Sequence, residues 1–152
     1  MVPFLILAVT TLVLRGAGAA GVRVLDSWTV SLRAGLCVMF LVTASAHWGK
    51  RRRDLIAMVP SGFPRSDLIV TITGILELLG AVGLMVPTTA TAAAVCLAVL
   101  LMAMFPANVH AAREHLKIGE TAATALPLRT VLQIVFIAAL AVAGFPAAFG
   151  LE

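Results

Sequence analysis

Charge is scarce in this sequence. Only 12% of its 152 residues are Asp, Glu, Lys or Arg, while 61% are hydrophobic. A water-soluble domain carries roughly a quarter charged residues, and a chain this short cannot hide such an apolar excess in one core. The shortage excludes an ordinary soluble domain and implies that lipid replaces water over most of the surface. Cysteine is scarce too. Cys37 and Cys96 are the only two, and no C-x-x-C occurs, which argues against a disulfide scaffold or a zinc site. Each reads as a small apolar thiol within a span. No sequence repeat, low-complexity tract, stacking platform or nucleic-acid motif is present. The net charge is +4 and the pI about 10.1, but the basic residues flank apolar runs. That is the pattern of membrane orientation, not of nucleic-acid binding.

What is present is a succession of uncharged runs. From Leu68 to Ala112, Glu77 is the only charge, which leaves room for two spans of about 20 residues each. Thr130–Leu151, Ala34–Gly49 and the first 14 residues carry no side-chain charge. The chain is therefore expected to be all-α and to cross a membrane several times. A first helix is expected over Val2–Ala20 with Arg15 snorkelling; no basic residue precedes its apolar run, as a cleaved signal peptide requires. Trp28 and Trp48 lie 20 residues apart, about 30 Å of helix, and mark the two interfaces of a second span. Arg33 snorkels from inside its first end.

Residues 49–67 hold the basic run Lys50–Arg53 and the short apolar piece "DLIAMVP", broken by Pro60, Gly62 and Pro64. This is expected to be an interfacial or re-entrant loop. Third and fourth spans are expected over Asp67–Val86 and Thr89–Val109, an antiparallel hairpin joined by "PTTAT", with Pro106 kinking the end of the fourth. After a polar connection, Pro127 suits the first turn of a fifth span, Leu128–Phe149. Five crossings put eight Lys and Arg residues (Lys50–Arg53, Arg65, Arg113, Lys117, Arg129) on one side and three (Arg15, Arg23, Arg33) on the other. The expected location is the plasma (inner) membrane, with loops 49–67 and 110–128 cytoplasmic and the C-terminus outside.

Glu77 is the residue to explain, because a charge inside a bilayer costs a few kcal/mol or more and usually faces protein or a wet cavity. On a helical wheel, Val70, Thr73, Gly74, Gly80, Ala81 and Leu84 share its side. Leu68, Ile72, Ile75, Leu79, Val82 and Val86 hold the other. Small residues let membrane helices approach closely, so Glu77 is expected to point into the bundle and the bulky side to meet lipid. Three readings stand: a protonated carboxyl tied to a neighbouring helix, an ion pair with Arg33, or the lining of a ligand or proton site. Counting residues from the interfaces puts Glu77, Cys37 and Cys96 at similar depths. His47, Asn108, His110, Arg129 and Gln133 gather at the cytoplasmic rim. Arg129 and Gln133 lie four apart, hence on one helical face.

Several motifs carry a resemblance. "SAHW" around His47, "MVPSGFP" at Met58–Pro64, "GILELLGAVGLMVP" at Gly74–Pro87, "MFPANVH" at Met104–His110 and "PLRTVLQ" at Pro127–Gln133 resemble the DoxX family of integral membrane proteins. The resemblance implies a four-helix membrane bundle over residues 29–152, with residues 1–28 as an additional N-terminal helix and connection. It marks His47, Glu77, Asn108, Arg129 and Gln133, to which the residue reading adds Arg33 as a candidate ligand-binding side chain. No catalytic residue and no metal ligand is assigned. The function implied is a redox-associated membrane subunit with an intrabundle site for a quinone-like or other small ligand, an accessory subunit more than an enzyme alone. A non-catalytic assembly or binding module and a small oligomeric transporter are the alternatives. No cofactor motif is visible, and quinone is the cofactor class left open. The expected partners are the lipid bilayer, a redox protein and a second copy of the chain, without nucleic acid.

Overall fold

Uncharged runs this long satisfy their backbone in lipid only by folding into helices. The computed structural model describes residues 1–118, 121–122 and 124–151. Its helices are α1 (Val2–Ala19), α2 (Trp28–Ser45), α3 (Arg52–Met58), α4 (Ser66–Met85), α5 (Ala90–Ala103), α6 (Phe105–Arg113) and α7 (Leu126–Gly144). Short 3-10 turns occupy Arg23–Leu25 and Pro146–Phe149, and Lys117–Ile118 pairs antiparallel with Thr121–Ala122. Proline falls in the first turn of α1, α6 and α7, where its missing N–H costs nothing. α4 stops at Met85 because Val86, ahead of Pro87, is extended.

Five helical stretches are long and apolar enough to cross a membrane: α1, α2, α4, α5 continued by α6, and α7. α2, α4, α5 and α7 are neighbours in that order, α7 also touches α2, and α1 lies against α2. Leu36, Met39, Phe40, Leu84, Leu97 and Leu140 fill the space between them. The α4 wheel is borne out. Val70, Gly74, Glu77, Gly80, Ala81 and Leu84 are buried, and Leu68, Ile72, Ile75, Leu79, Val82 and Val86 are exposed. Close approach explains the small side: any side chain on Gly74 would run into His47, and any on Gly80 into Leu97.

Four boundaries differ from expectation. α2 ends at Ser45, so Trp48 sits in the following turn and the two tryptophans overstate the helix. The fourth span breaks at Met104, as expected from Pro106, which has no N–H to continue the ladder, but its second helix runs on to Arg113, past Val109. The fifth begins at Leu126, with Pro127 in its first turn, and stops at Gly144. The loop 49–67 contains a helix of its own, α3, which packs on α4 and α6. Arg15 also has protein partners: it pairs with Asp26 at 2.7 Å, and its guanidinium carbon lies 5.3 Å from the centre of the Trp28 ring. This joins the end of α1 to the start of α2.

Candidate functional site

The site begins where α2 meets α4. A Cβ on Gly74 would lie 2.7 Å from the Cβ of His47, so only glycine allows this approach. One turn on, Thr43 Oγ1 is hydrogen-bonded to Glu77 Oε2 at 3.1 Å. Thr43 lies in the last turn of α2 and His47 in the turn that follows it, so the C-terminal end of α2 supplies both contacts. Glu77 is 4% exposed.

Beside this contact lies a cavity of about 790 Å3. Its polar lining includes Thr43, His47, Thr73, Glu77 and Asn108, and its apolar lining includes Val42, Met58, Val59, Phe63, Val70 and Met104. Lys50 and Arg51 also line it, as do Val2 and Pro3. The start of α1 and the basic loop therefore lie at the same end of the molecule.

His47 is held from two sides. Its Nδ1 is 3.2 Å from the carbonyl oxygen of Ala44. A carbonyl only accepts, so Nδ1 carries the proton and Nε2 of the neutral ring is an acceptor. Burial pushes the imidazole below its ordinary pKa, and Arg52 nearby adds to this, against the opposing pull of the Ala44 and Thr43 carbonyls. Arg52 also stitches the corner together. Nη1 donates to the His47 carbonyl at 2.7 Å, and Nη2 to the Asp67 carbonyl at 3.1 Å and to Thr71 Oγ1 at 2.9 Å.

Another part of the lining belongs to α6, whose entry is set by the break at Met104. The Leu101 carbonyl at that break accepts from Gln133 Nε2 at 3.1 Å. Arg129, one turn earlier on α7, donates from Nη1 to Asn108 Oδ1 at 2.7 Å and from Nε to the Thr124 carbonyl at 2.8 Å. Of the six candidate residues, Glu77, His47 and Asn108 thus line one cavity, Arg129 stands directly behind Asn108, and Gln133 supports the helix break.

Arg33 does not join them, and the proposed Glu77–Arg33 ion pair is corrected. Arg33 Nε donates to the Ala143 carbonyl at 2.9 Å, a cation placed at the C-terminal end of α7 where carbonyls lack helical donors. Along α2, Arg33 is ten positions from Thr43, about 15 Å away from the level of Glu77. Equal-depth counting failed because α2 and α4 are not flush. α4 begins eight residues before it meets His47, and α3 covers that overhang. Glu77 therefore faces the end of α2 and not its middle. Cys37 and Cys96 are both free, and Cys96 is exposed on the outside.

Two site residues were missed. Thr43 carried a signal, a hydroxyl four residues before His47. Arg52 carried none, since nothing in "KRRR" separates it from its neighbours.

The geometry defines a helical protein with five potential membrane spans and a polar-floored cavity at one end of them. Over residues 36–143 the chain matches the family described as Domain of unknown function (DUF8561), and it belongs to that family. The matched range holds Thr43, His47, Glu77, Asn108, Arg129 and Gln133 and leaves out α1 and Arg33. This corrects the resemblance to DoxX. The motifs behind it are short, and much of what they share is small residues and prolines, which close packing and helix breaks demand of many membrane bundles. They do not separate one family from another. No curated protein and no solved structure matches the chain.

Proposed function

We propose that this protein is a multi-pass membrane protein that binds a small amphipathic molecule, of the size and polarity of a quinone, in the cavity floored by Glu77, His47 and Asn108. One observation carries the proposal: a buried carboxyl within a span lines an apolar cavity of about 790 Å3. Ligand cavities run from about 300 to 1,000 Å3, mostly apolar with a few placed polar groups. An intramembrane carboxyl is a costly feature that usually marks a site. The apolar walls suit a hydrocarbon tail, and the polar floor suits a headgroup. Quinone is proposed on size and polarity alone.

The basic end, with Lys50–Arg53, Arg65, Arg113, Lys117 and Arg129, is proposed to be cytoplasmic in the plasma (inner) membrane, by the excess of Lys and Arg there. Reporter fusions at the C-terminus test this, and activity of a cytoplasmic reporter at that end contradicts it.

A second reading has its own support. The Thr43–Glu77 hydrogen bond joins α2 to α4, as a helix tie in a non-catalytic assembly module would. Protein purified from membranes in mild detergent, extracted with organic solvent and analysed by mass spectrometry, separates the two. Ligand binding predicts one amphiphile enriched over bulk lipid and lost in Glu77→Gln. An extract with bulk-membrane composition, alongside a destabilised Glu77→Gln, supports the tie alone.

A further inference from the structure

Asn108 is the chain's only asparagine, and its amide has a defined orientation. Guanidinium groups donate and never accept. The 2.7 Å contact from Arg129 Nη1 therefore commits the oxygen of the amide to α7. Arg129 is itself anchored through Nε on the Thr124 carbonyl at 2.8 Å, so it does not swing freely. The two protons on Asn108 Nδ2 are left over, and none of the described residues accepts them. Asn108 lines the cavity. His47 lines the same cavity; its neutral ring has its one proton on Nδ1, engaged by Ala44, and offers an acceptor at Nε2. The cavity lining thus holds a donor on α6 and an acceptor in the turn after α2.

Taking the cavity as the ligand site, we propose that Arg129 is a positioning residue that turns Asn108 into a hydrogen-bond donor, so that the site selects an amphiphile with an acceptor oxygen, such as a carbonyl, at its polar end. Arg129 acts through Asn108 and touches no ligand itself. A bare hydrocarbon of the same shape leaves the Nδ2 protons unpaired in an apolar cavity, and that penalty provides the discrimination.

The test uses full-length protein in detergent and decyl-benzoquinone as probe, with Trp48 as reporter. Trp48 packs beside His47, ring centres 6.0 Å apart, and Trp28→Phe removes the second tryptophan. Asn108→Asp is the informative variant. It keeps and strengthens the Arg129 contact but replaces the amide donor with an acceptor. The proposal predicts unchanged or higher thermal stability with affinity for the probe lowered tenfold or more. A merely structural Asn108 predicts no change in affinity, and that result overturns the proposal while leaving the cavity as a ligand site. Failure of the unsubstituted protein to bind the probe overturns both. A second measurement needs no Asn108 variant. Asparagine-selective 15N labelling gives one side-chain amide pair, which the probe should shift. A pair that stays in place as the probe saturates the site overturns the proposal.

Discussion

Thr43 Oγ1 lies 3.1 Å from Glu77 Oε2 and 3.1 Å from the Phe40 carbonyl oxygen. A hydroxyl has one proton, so it cannot donate to both at once. It can donate to Phe40 and accept from a protonated carboxyl, or donate to the carboxylate. Either way, among the described residues it is the group that keeps the buried carboxyl hydrogen-bonded. Thr43→Val is expected to cost about 0.5–1 kcal/mol, as interhelical hydrogen bonds in membranes do. Glu77→Gln, which keeps an oxygen and a shape, should cost less. Thermal melts in one detergent compare the two, and equal melts for Thr43→Val and the unsubstituted protein contradict the assigned contact.

Gly74 is predicted to tolerate no side chain. With a Cβ 2.7 Å from His47, Gly74→Leu must push α2 from α4 or rebuild the turn at Ala46–Gly49. Overpacking of this kind costs about 1–3 kcal/mol or more. The cavity is formed at the same contact, so probe affinity should fall together with stability. Gly16, with open space around it, is the control, and Gly16→Ala should be harmless.

Arg33 should behave as a structural residue. Arg33→Gln removes a cation from the end of α7 at a level about 15 Å from Glu77. The expected result is a loss of stability of about 0.5–2 kcal/mol, seen as a lower melting temperature, with unchanged probe affinity. A selective loss of binding would return Arg33 to the site.

His47 predicts a pH dependence. Burial lowers its folded-state pKa, so below about pH 6.5 the unfolded chain takes up a proton that the folded chain resists. Stability from this group is full above that pH and declines as pH falls through the folded value. Arg52, against the same turn, acts in the same direction. Melting temperatures measured from pH 7.5 to 5 should fall, and His47→Asn should flatten that slope. An identical slope in His47→Asn contradicts the buried neutral ring.

The helices and the inward side of α4 were legible because burial in a membrane bundle sorts small from bulky residues at a helical period. Gly74, Gly80 and Ala81 against Ile72, Leu79 and Val82 state that sorting plainly. The rim residues were legible as helix-end polar groups, and Arg129 with Gln133 as one face. Depth was not legible. Where α2 stops depends on a turn at Ala46–Gly49 that is fixed by tertiary contacts, from Arg52 to His47 and from Gly74 to His47. Without that stop, Cys37 and Glu77 counted as level, and Arg33, one turn shallower, looked within reach of the carboxylate. The Arg129–Asn108 bond was also hidden, because it depends on where α6 restarts after Met104. Proline predicted a break, but not the direction of the helix beyond it.

The central claim is that the Glu77 cavity binds an amphiphile. Its most direct test is titration of decyl-benzoquinone into Trp28→Phe protein, followed by quenching of Trp48, with and without Glu77→Gln. The account predicts saturable quenching at one molecule per chain, with affinity reduced tenfold or more by Glu77→Gln. Linear, non-saturating quenching that is the same in both proteins would contradict it.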